Sequence, residues 1–259
     1  ALPISIAPQA QRPRTPVLLS PRHRSTAPER DVLRTLLGSA WGPHDAAVGR
    51  AFAGTSLLGG AESAAAHADL VAVRAYLHSR EGPLNHGELA RALRSGERER
   101  SALSYAACLV SGLGRLAAYR GAVLRGSTGR RATPPRPGQV VRDPAPVSGL
   151  PVGAAAAAEV PGAAYAIWSI TGRQVDPLLA SGEEVVFAPG SAFRVLDVRS
   201  GDGGPLVLLR QLPHTETAAA TLEDADETAL TQLDQALAGL PAPGSAAWPA
   251  RCAGPVGAP

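Results

Sequence analysis

The sequence predicts an α+β protein in which a helical N-terminal portion precedes a β core. Two changes along the chain lead to this. Through roughly the first hundred residues, apolar positions recur at helical spacing behind recognisable caps. From about Tyr119 onward they fall in short β-like runs punctuated by Gly, Pro and Asp. A third observation concerns chemistry: Arg125, Ser169 and Glu184 stand in order on three of those runs, where purely structural strands would be apolar. The chain has 259 residues, of which 45% are apolar, enough for one large domain or two small ones.

In order, residues 1–25 are rich in Pro, Arg and Ser without apolar periodicity and read as a flexible arm. Thr26-Ala-Pro-Glu29 has capping-box spacing with Pro in the first turn; Val32, Leu33, Leu36 and Leu37 form one face and Gly38 ends the helix. Residues 61–78 predict a second helix through Ala66, Leu70, Val73 and Leu77, and Asn85 caps a third that carries Leu89, Ala92 and Leu93. A longer helix over 97–116 presents Leu103, Ala106, Leu109, Val110, Leu113 and Leu116. The strand candidates are 122–124, 139–141, 163–170, 185–187, 192–198 and 206–212. Between the first two, residues 126–138 form a loop holding Arg130, Arg131 and Arg136. An acidic helix over 222–238 buries Leu222, Ala229, Leu230, Leu233 and Leu237. The organisation expected is therefore an arm (1–25), a helical portion (26–100), a β-core domain closed by a helix (101–240) and a disordered tail (241–259).

Composition excludes several functions. All 25 basic residues are arginine, beside abundant Ala, Gly and Pro, which is the imprint of a high-GC genome rather than of a binding surface. Net charge is only +3 and acidic residues are interspersed, so nucleic acid is not an expected partner. No apolar run is long enough to span a bilayer. The chain begins at Ala1 without methionine and reads as a processed product or a fragment, with any N-terminal signal not visible. Cys108 and Cys252 permit one disulfide, or a buried thiol plus a free tail thiol. The six histidines show no metal spacing, and no metal is expected. Gly112-Leu-Gly114 and Gly201-Asp-Gly-Gly204 read as bends, and Ser56 and Ser127 lack a nucleophile-elbow context.

Arginine, serine and glutamate on neighbouring strands suit cleavage of a glycosidic bond whose leaving group is already cationic, such as the nicotinamide–ribose bond of NAD. A carboxylate near the ribose hydroxyls and a guanidinium on the diphosphate favour the oxocarbenium-like transition state. The guanidinium fork donates paired hydrogen bonds to phosphate, and a small hydroxyl can brace the carboxylate. Each residue alone also has an ordinary reading: a strand-end ion pair for Arg125, a backbone hydrogen bond for Ser169, an acidic edge for Glu184.

Three segments resemble the motifs of the mono-ADP-ribosyltransferases of the bacterial exotoxin type. Tyr119-Arg-Gly-Ala-Val-Leu-Arg-Gly126 is similar to the arginine motif, Trp168-Ser-Ile-Thr171 to the serine motif, and Glu184-Val-Val-Phe-Ala-Pro-Gly-Ser-Ala-Phe-Arg-Val195 to the glutamate motif. The resemblance implies a mixed, mostly antiparallel β core and NAD as substrate. It further implies that Arg125 and Gly126 contact NAD, Ser169 braces the site, Thr171 supplies a second hydroxyl, and Glu184 holds the ribose hydroxyl. The acceptor is an unknown protein or small molecule, and the protein a secreted or delivered bacterial one. Two features depart from the pattern. Gly182 replaces the first member of the family's Glu/Gln-x-Glu triplet, with Glu183 adjacent to Glu184, and the Ser169–Glu184 span is short. NAD-dependent transfer, NAD hydrolysis and a catalytically inactive binding module all stay open at this point.

Overall fold

The structure, a computed structural model, describes residues 19–54, 60–96, 99–128, 135–158, 160–200, 204–213 and 223–257. It is an α+β fold, with a helical layer on a mixed sheet. The helical layer contains α1 (Ala27–Leu37), α2 (Trp41–Ala51), α3 (Gly60–His78), α4 (His86–Arg94) and α5 (Arg100–Leu113). α1 starts as its sequence suggests: the Thr26 N–H and hydroxyl both donate to Glu29 Oε2, at 2.7 and 2.9 Å. Asn85 caps α4 by accepting from the Gly87 N–H at 2.8 Å. Gly112 is no bend. It lies inside α5 where α3 crosses, and a Cβ there would stand 2.2 Å from the Asp69 carbonyl oxygen, so only glycine allows this approach.

The sheet comprises β1 (Ala118–Arg125), β2 (Val140–Arg142), β3 (Val147–Pro151), β4 (Tyr165–Gln174), β5 (Val185–Phe187), β6 (Ala192–Arg199) and β7 (Leu206–Gln211). The order is β1-β3-β5-β4-β7-β6-β2, and β1 also pairs with β4, so β1, β3, β5 and β4 form a closed ring of pairings. Every pairing is antiparallel except β4 with β7. Two further helices complete the fold, α6 (Val152–Ala157) and α7 (Asp224–Ala238).

Period-two alternation divides the strands between two cores. Val123, Tyr165, Ile167, Val207 and Leu209 face an inner core that includes Phe187 and Phe193, edge to face with centroids 5.2 Å apart. Their neighbours Ala122, Leu124, Ala166 and Leu208 face the other way, onto Ala155 of α6 and Ala229 and Leu233 of α7. The helical layer forms a third cluster, which reaches the sheet through Ala145, Val175, Leu178 and Val186.

Several expectations need correction. α2, β3 and α6 have no counterpart among the predicted elements. α2 opens Trp41-Gly-Pro and fully buries only Val48, so it carries almost no stripe; Arg34 stacks on the Trp41 ring at 4.3 Å instead. β3 is buried along its whole length, so it lacks alternation. Residues 241–257 are not a loose tail: Cys252 and Val256 are buried, and the segment is bonded to the sheet as described below. Both cysteines are free and buried, so there is no bridge, and the free thiol of Cys252 is enclosed rather than carried on a loose tail. At the other end, Ser25 of the expected arm bonds to Asp69 of α3. The Arg130 and Arg131 part of the loop, Leu222, His214, Ser56 and Gly201 to Gly203 lie outside the described residues. No helix among the described residues is long and apolar enough to cross a membrane.

Candidate functional site

Arg125 ends β1, and its side chain is 4% exposed. Its guanidinium donates to four backbone carbonyls: Ser148 at 2.6 Å, Arg251 at 2.5 Å, Ala253 at 2.8 Å and Gly254 at 3.0 Å. Burial lowers its pKa from the ordinary arginine value, and the opposing influence of Tyr76, Cys252 and Asp143 does not reverse this. Among the described residues its hydrogen-bond partners are all carbonyl dipoles, an arrangement chemically compatible with exchange for an anion.

The partner strand brings the other groups alongside. Leu124 faces Leu150 across β1 and β3, and Gly149 faces Val185 across β3 and β5. Arg125 at the end of β1, the Ser148–Gly149 pair on β3 and Glu184 at the entry to β5 thus lie side by side, spanning about 10 Å at the usual strand separation. Ser148 is fully buried and its hydroxyl lies 3.1 Å from the Tyr76 hydroxyl of α3. Burial pushes the Tyr76 phenol up to about 12; the Ser148 hydrogen bond opposes this, the Glu184 charge adds to it, and the Arg125 and Arg251 charges oppose it. Tyr76 therefore stays a neutral hydroxyl between the cationic and anionic groups.

Glu184 is 3% exposed and immediately precedes β5. Its backbone N–H donates to Asp176 at 3.0 Å and its carbonyl accepts from Val175. Its carboxylate is taken by Arg251, Nε to Oε1 at 3.2 Å and Nη2 to Oε2 at 2.9 Å, a bidentate pair. Arg251 also donates to the Leu77 carbonyl at 2.6 Å. Half-buried His86 lies within the field of this cluster, its pKa lowered first by burial and then by Arg251.

Ser169 is elsewhere. It faces Gly121, while Arg125 faces Tyr165, which puts it about 13 Å along β4 from the arginine. Its hydroxyl donates to the Tyr119 carbonyl at 2.8 Å and accepts from the Gly172 N–H at 3.2 Å, a local backbone role. Thr171 is bound to Gln211, whose Nε2 donates to its hydroxyl at 2.8 Å. Arg120 is exposed. The structure thus brings together Arg125, Gly126 and Glu184, leaves Ser169 and Thr171 apart, and adds Ser148, Tyr76 and Arg251. Ser148 had a legible signal: a hydroxyl inside the short apolar run Val147-Ser-Gly-Leu-Pro151, directly before an alanine-rich helix. Among the described residues no three His, Cys, Asp or Glu side chains gather as metal ligands would.

The fold that carries this site is the one found in bacterial mono-ADP-ribosyltransferases of the toxin type. The ADP-ribosyltransferase HopU1 of Pseudomonas syringae pv. Tomato DC3000 superposes with a TM-score of 0.52 at 19% identity, over 74% of this chain and 100% of that one. Exoenzyme S from Pseudomonas aeruginosa, solved with human 14-3-3 protein beta and carba-NAD, gives 0.53 at 16% identity, over 78% and 96%. The type III effector XopAI from Xanthomonas axonopodis pv. citri gives 0.58 at 18% identity, over 75% and 87%. No family model matches the sequence, and no curated protein sequence matches it either.

Proposed function

We propose that the protein is an NAD-dependent mono-ADP-ribosyltransferase or NAD glycohydrolase that breaks the nicotinamide–ribose bond. The observation carrying this reading is the alignment of Arg125 on β1, Ser148 on β3 and Glu184 at the entry to β5, in a fold shared with ADP-ribosyltransferases. In the reaction the bond between ribose C1′ and the pyridine nitrogen breaks, its electron pair leaving with neutral nicotinamide. Glu184 holds a ribose hydroxyl and stabilises the oxocarbenium-like sugar; Arg125 and the Gly126 N–H take the diphosphate. Ser148 and Tyr76 position the carboxylate side of the cleft, the part first assigned to Ser169 and Thr171. An acceptor or water then bonds to C1′, and its proton passes through Glu184 to solvent.

Gly182 favours hydrolysis as the second reading. It has φ +82° and is exposed, and nothing stands within 4 Å of where a Cβ would sit, so the place two residues before Glu184 carries no carboxylate to activate an acceptor. Exposed Glu183 is the nearest substitute. A protein acceptor, delivery from a bacterium, and the division into a helical portion (26–100) and a transferase-like unit (101–240) belong to the same proposal; α5 packs on α1 and α3 across that boundary.

Nicotinamide release at millimolar NAD tests it, on the chain with and without residues 248–257. Glu184→Gln is expected to lower the rate about 10²- to 10³-fold with little change in NAD affinity. Arg125→Lys should chiefly weaken NAD binding. Folded protein that neither binds NAD nor releases nicotinamide in either form refutes the reading.

A further inference from the structure

The groups assigned to NAD are already engaged by the protein's own C-terminal segment. Three of the four carbonyls on the Arg125 guanidinium, those of Arg251, Ala253 and Gly254, come from it. The Gly126 N–H donates to the Cys252 carbonyl at 2.9 Å and the Gly254 N–H returns to the Gly126 carbonyl at 3.0 Å, in parallel strand fashion. Arg251 covers both oxygens of Glu184. A diphosphate on Arg125 and a ribose on Glu184 would have to displace every one of these contacts.

The segment is anchored at both ends but joined by a weak link. At its start the Trp248 ring lies against Gly126, where a Cβ would come within 2.5 Å of it. At its end Val256 is buried in the inner core, and the Gly257 N–H donates to Asp143, which Arg94 also holds. By contrast, the link Pro241-Ala-Pro-Gly-Ser-Ala-Ala247 is exposed except at Gly244, whose N–H bonds to the Val160 carbonyl. The link runs over an apolar cavity of about 320 Å³ bordered by Ala155, Val160, Leu237 and Trp248 rather than over a packed surface.

We propose that residues 248–257 are a displaceable plug, an intramolecular ligand with backbone carbonyls in the diphosphate position and Arg251 on the catalytic carboxylate. The cleft opens to NAD when this segment leaves by movement of the 241–247 link. The inference rests on the NAD reading of the site. Apparent affinity falls by the fraction of molecules that are open, so the closed chain binds NAD weakly and the opened chain strongly.

The test compares NAD binding by calorimetry in the full chain, in a chain ending at residue 247, and in full-length Arg251→Ala, with folding checked by circular dichroism. The expected result is at least ten-fold tighter NAD binding by the truncated chain, a smaller gain in Arg251→Ala, and competition between NAD and a synthetic peptide of residues 248–257. Equal, measurable NAD affinity in folded full-length and truncated chains overturns the plug and leaves the NAD reading standing. Peptide binding without NAD binding in the truncated chain overturns the NAD reading, and with it a plug against NAD. Should truncation unfold the protein, Arg251→Ala decides: unchanged NAD affinity there, with the 250–257 amides as protected from hydrogen exchange under saturating NAD as without it, overturns the proposal.

Discussion

At the scale of single residues, two serines stand in contrasting surroundings. Ser169 satisfies the Tyr119 carbonyl and the Gly172 N–H, so Ser169→Ala leaves buried backbone groups short of partners and should cost about 1–3 kcal/mol of stability. Its NAD affinity and turnover should stay within about two-fold of wild type once the protein is kept folded, given the ~13 Å strand distance from Arg125. Ser148→Ala removes the partner of the Tyr76 hydroxyl between Arg125 and Glu184, and is expected to slow nicotinamide release by ten-fold or more. Paired denaturation curves and release assays on the two variants check this; equal effects on release would defeat the assignment. Arg125 and Glu184 stand out in sequence because a strand end in Arg-Gly and a Glu before an apolar run each break a pattern, and the structure places the two near one another. The signal of Ser148 is weaker because β3 is short and wholly buried, whereas Ser169 sits in a long apolar run that makes it conspicuous.

At the scale of elements, α7 is tied to the sheet by charge as well as by its apolar stripe. Fully buried Asp226 accepts from Arg194 of β6 at 2.8 Å, Arg210 of β7 at 2.6 Å and the Glu223 N–H at 2.9 Å, so one carboxylate caps the helix and neutralises two strand arginines. Burial works to raise its pKa, but the Glu223 N–H and both guanidinium groups together hold it below the ordinary aspartate value. Asp226→Ala should cost about 3–5 kcal/mol in urea denaturation, since it removes the buried carboxylate on which two guanidinium groups converge. Replacing all three charged residues with apolar ones of similar volume should recover most of that loss; a cheap Asp226→Ala would mean that the arginines find water instead. This triad was unreadable in sequence, where three charges far apart give no sign of meeting. The C-terminal segment departs from its expected disorder for a related reason: Pro, Ala and Gly suggest disorder, yet its backbone carbonyls hold it to Arg125, and hydrogen bonds made by main chain leave no mark on composition. Capped, striped helices such as α1 and α4 were legible because local signals alone determine them.

For the whole molecule, these burial patterns fix how stability responds to pH. His44, His78 and His86 are half-buried in the helical layer, and each has its pKa lowered, first by burial and then by neighbouring arginines, Arg74 for His44 and His78 and Arg251 for His86. For His78 the hydrogen bond to the Leu178 carbonyl opposes the shift without reversing it. A histidine whose folded pKa lies below its unfolded value of about 6.5 binds protons more readily in the unfolded chain. Its stabilising contribution is therefore complete above that value and is lost as pH falls through the folded pKa. Glu29, Asp197 and Asp226 also have lowered values, so their contributions are lost only as pH falls below the ordinary carboxylate range near 4. Thermal unfolding from pH 8 downward should show a Tm that is flat to about pH 6.5, declines below that value, and falls again below about pH 4. Triple substitution of His44, His78 and His86 by glutamine should remove the first decline and leave the second. An unchanged slope just below pH 6.5 in that variant would place this acid sensitivity outside the three histidines.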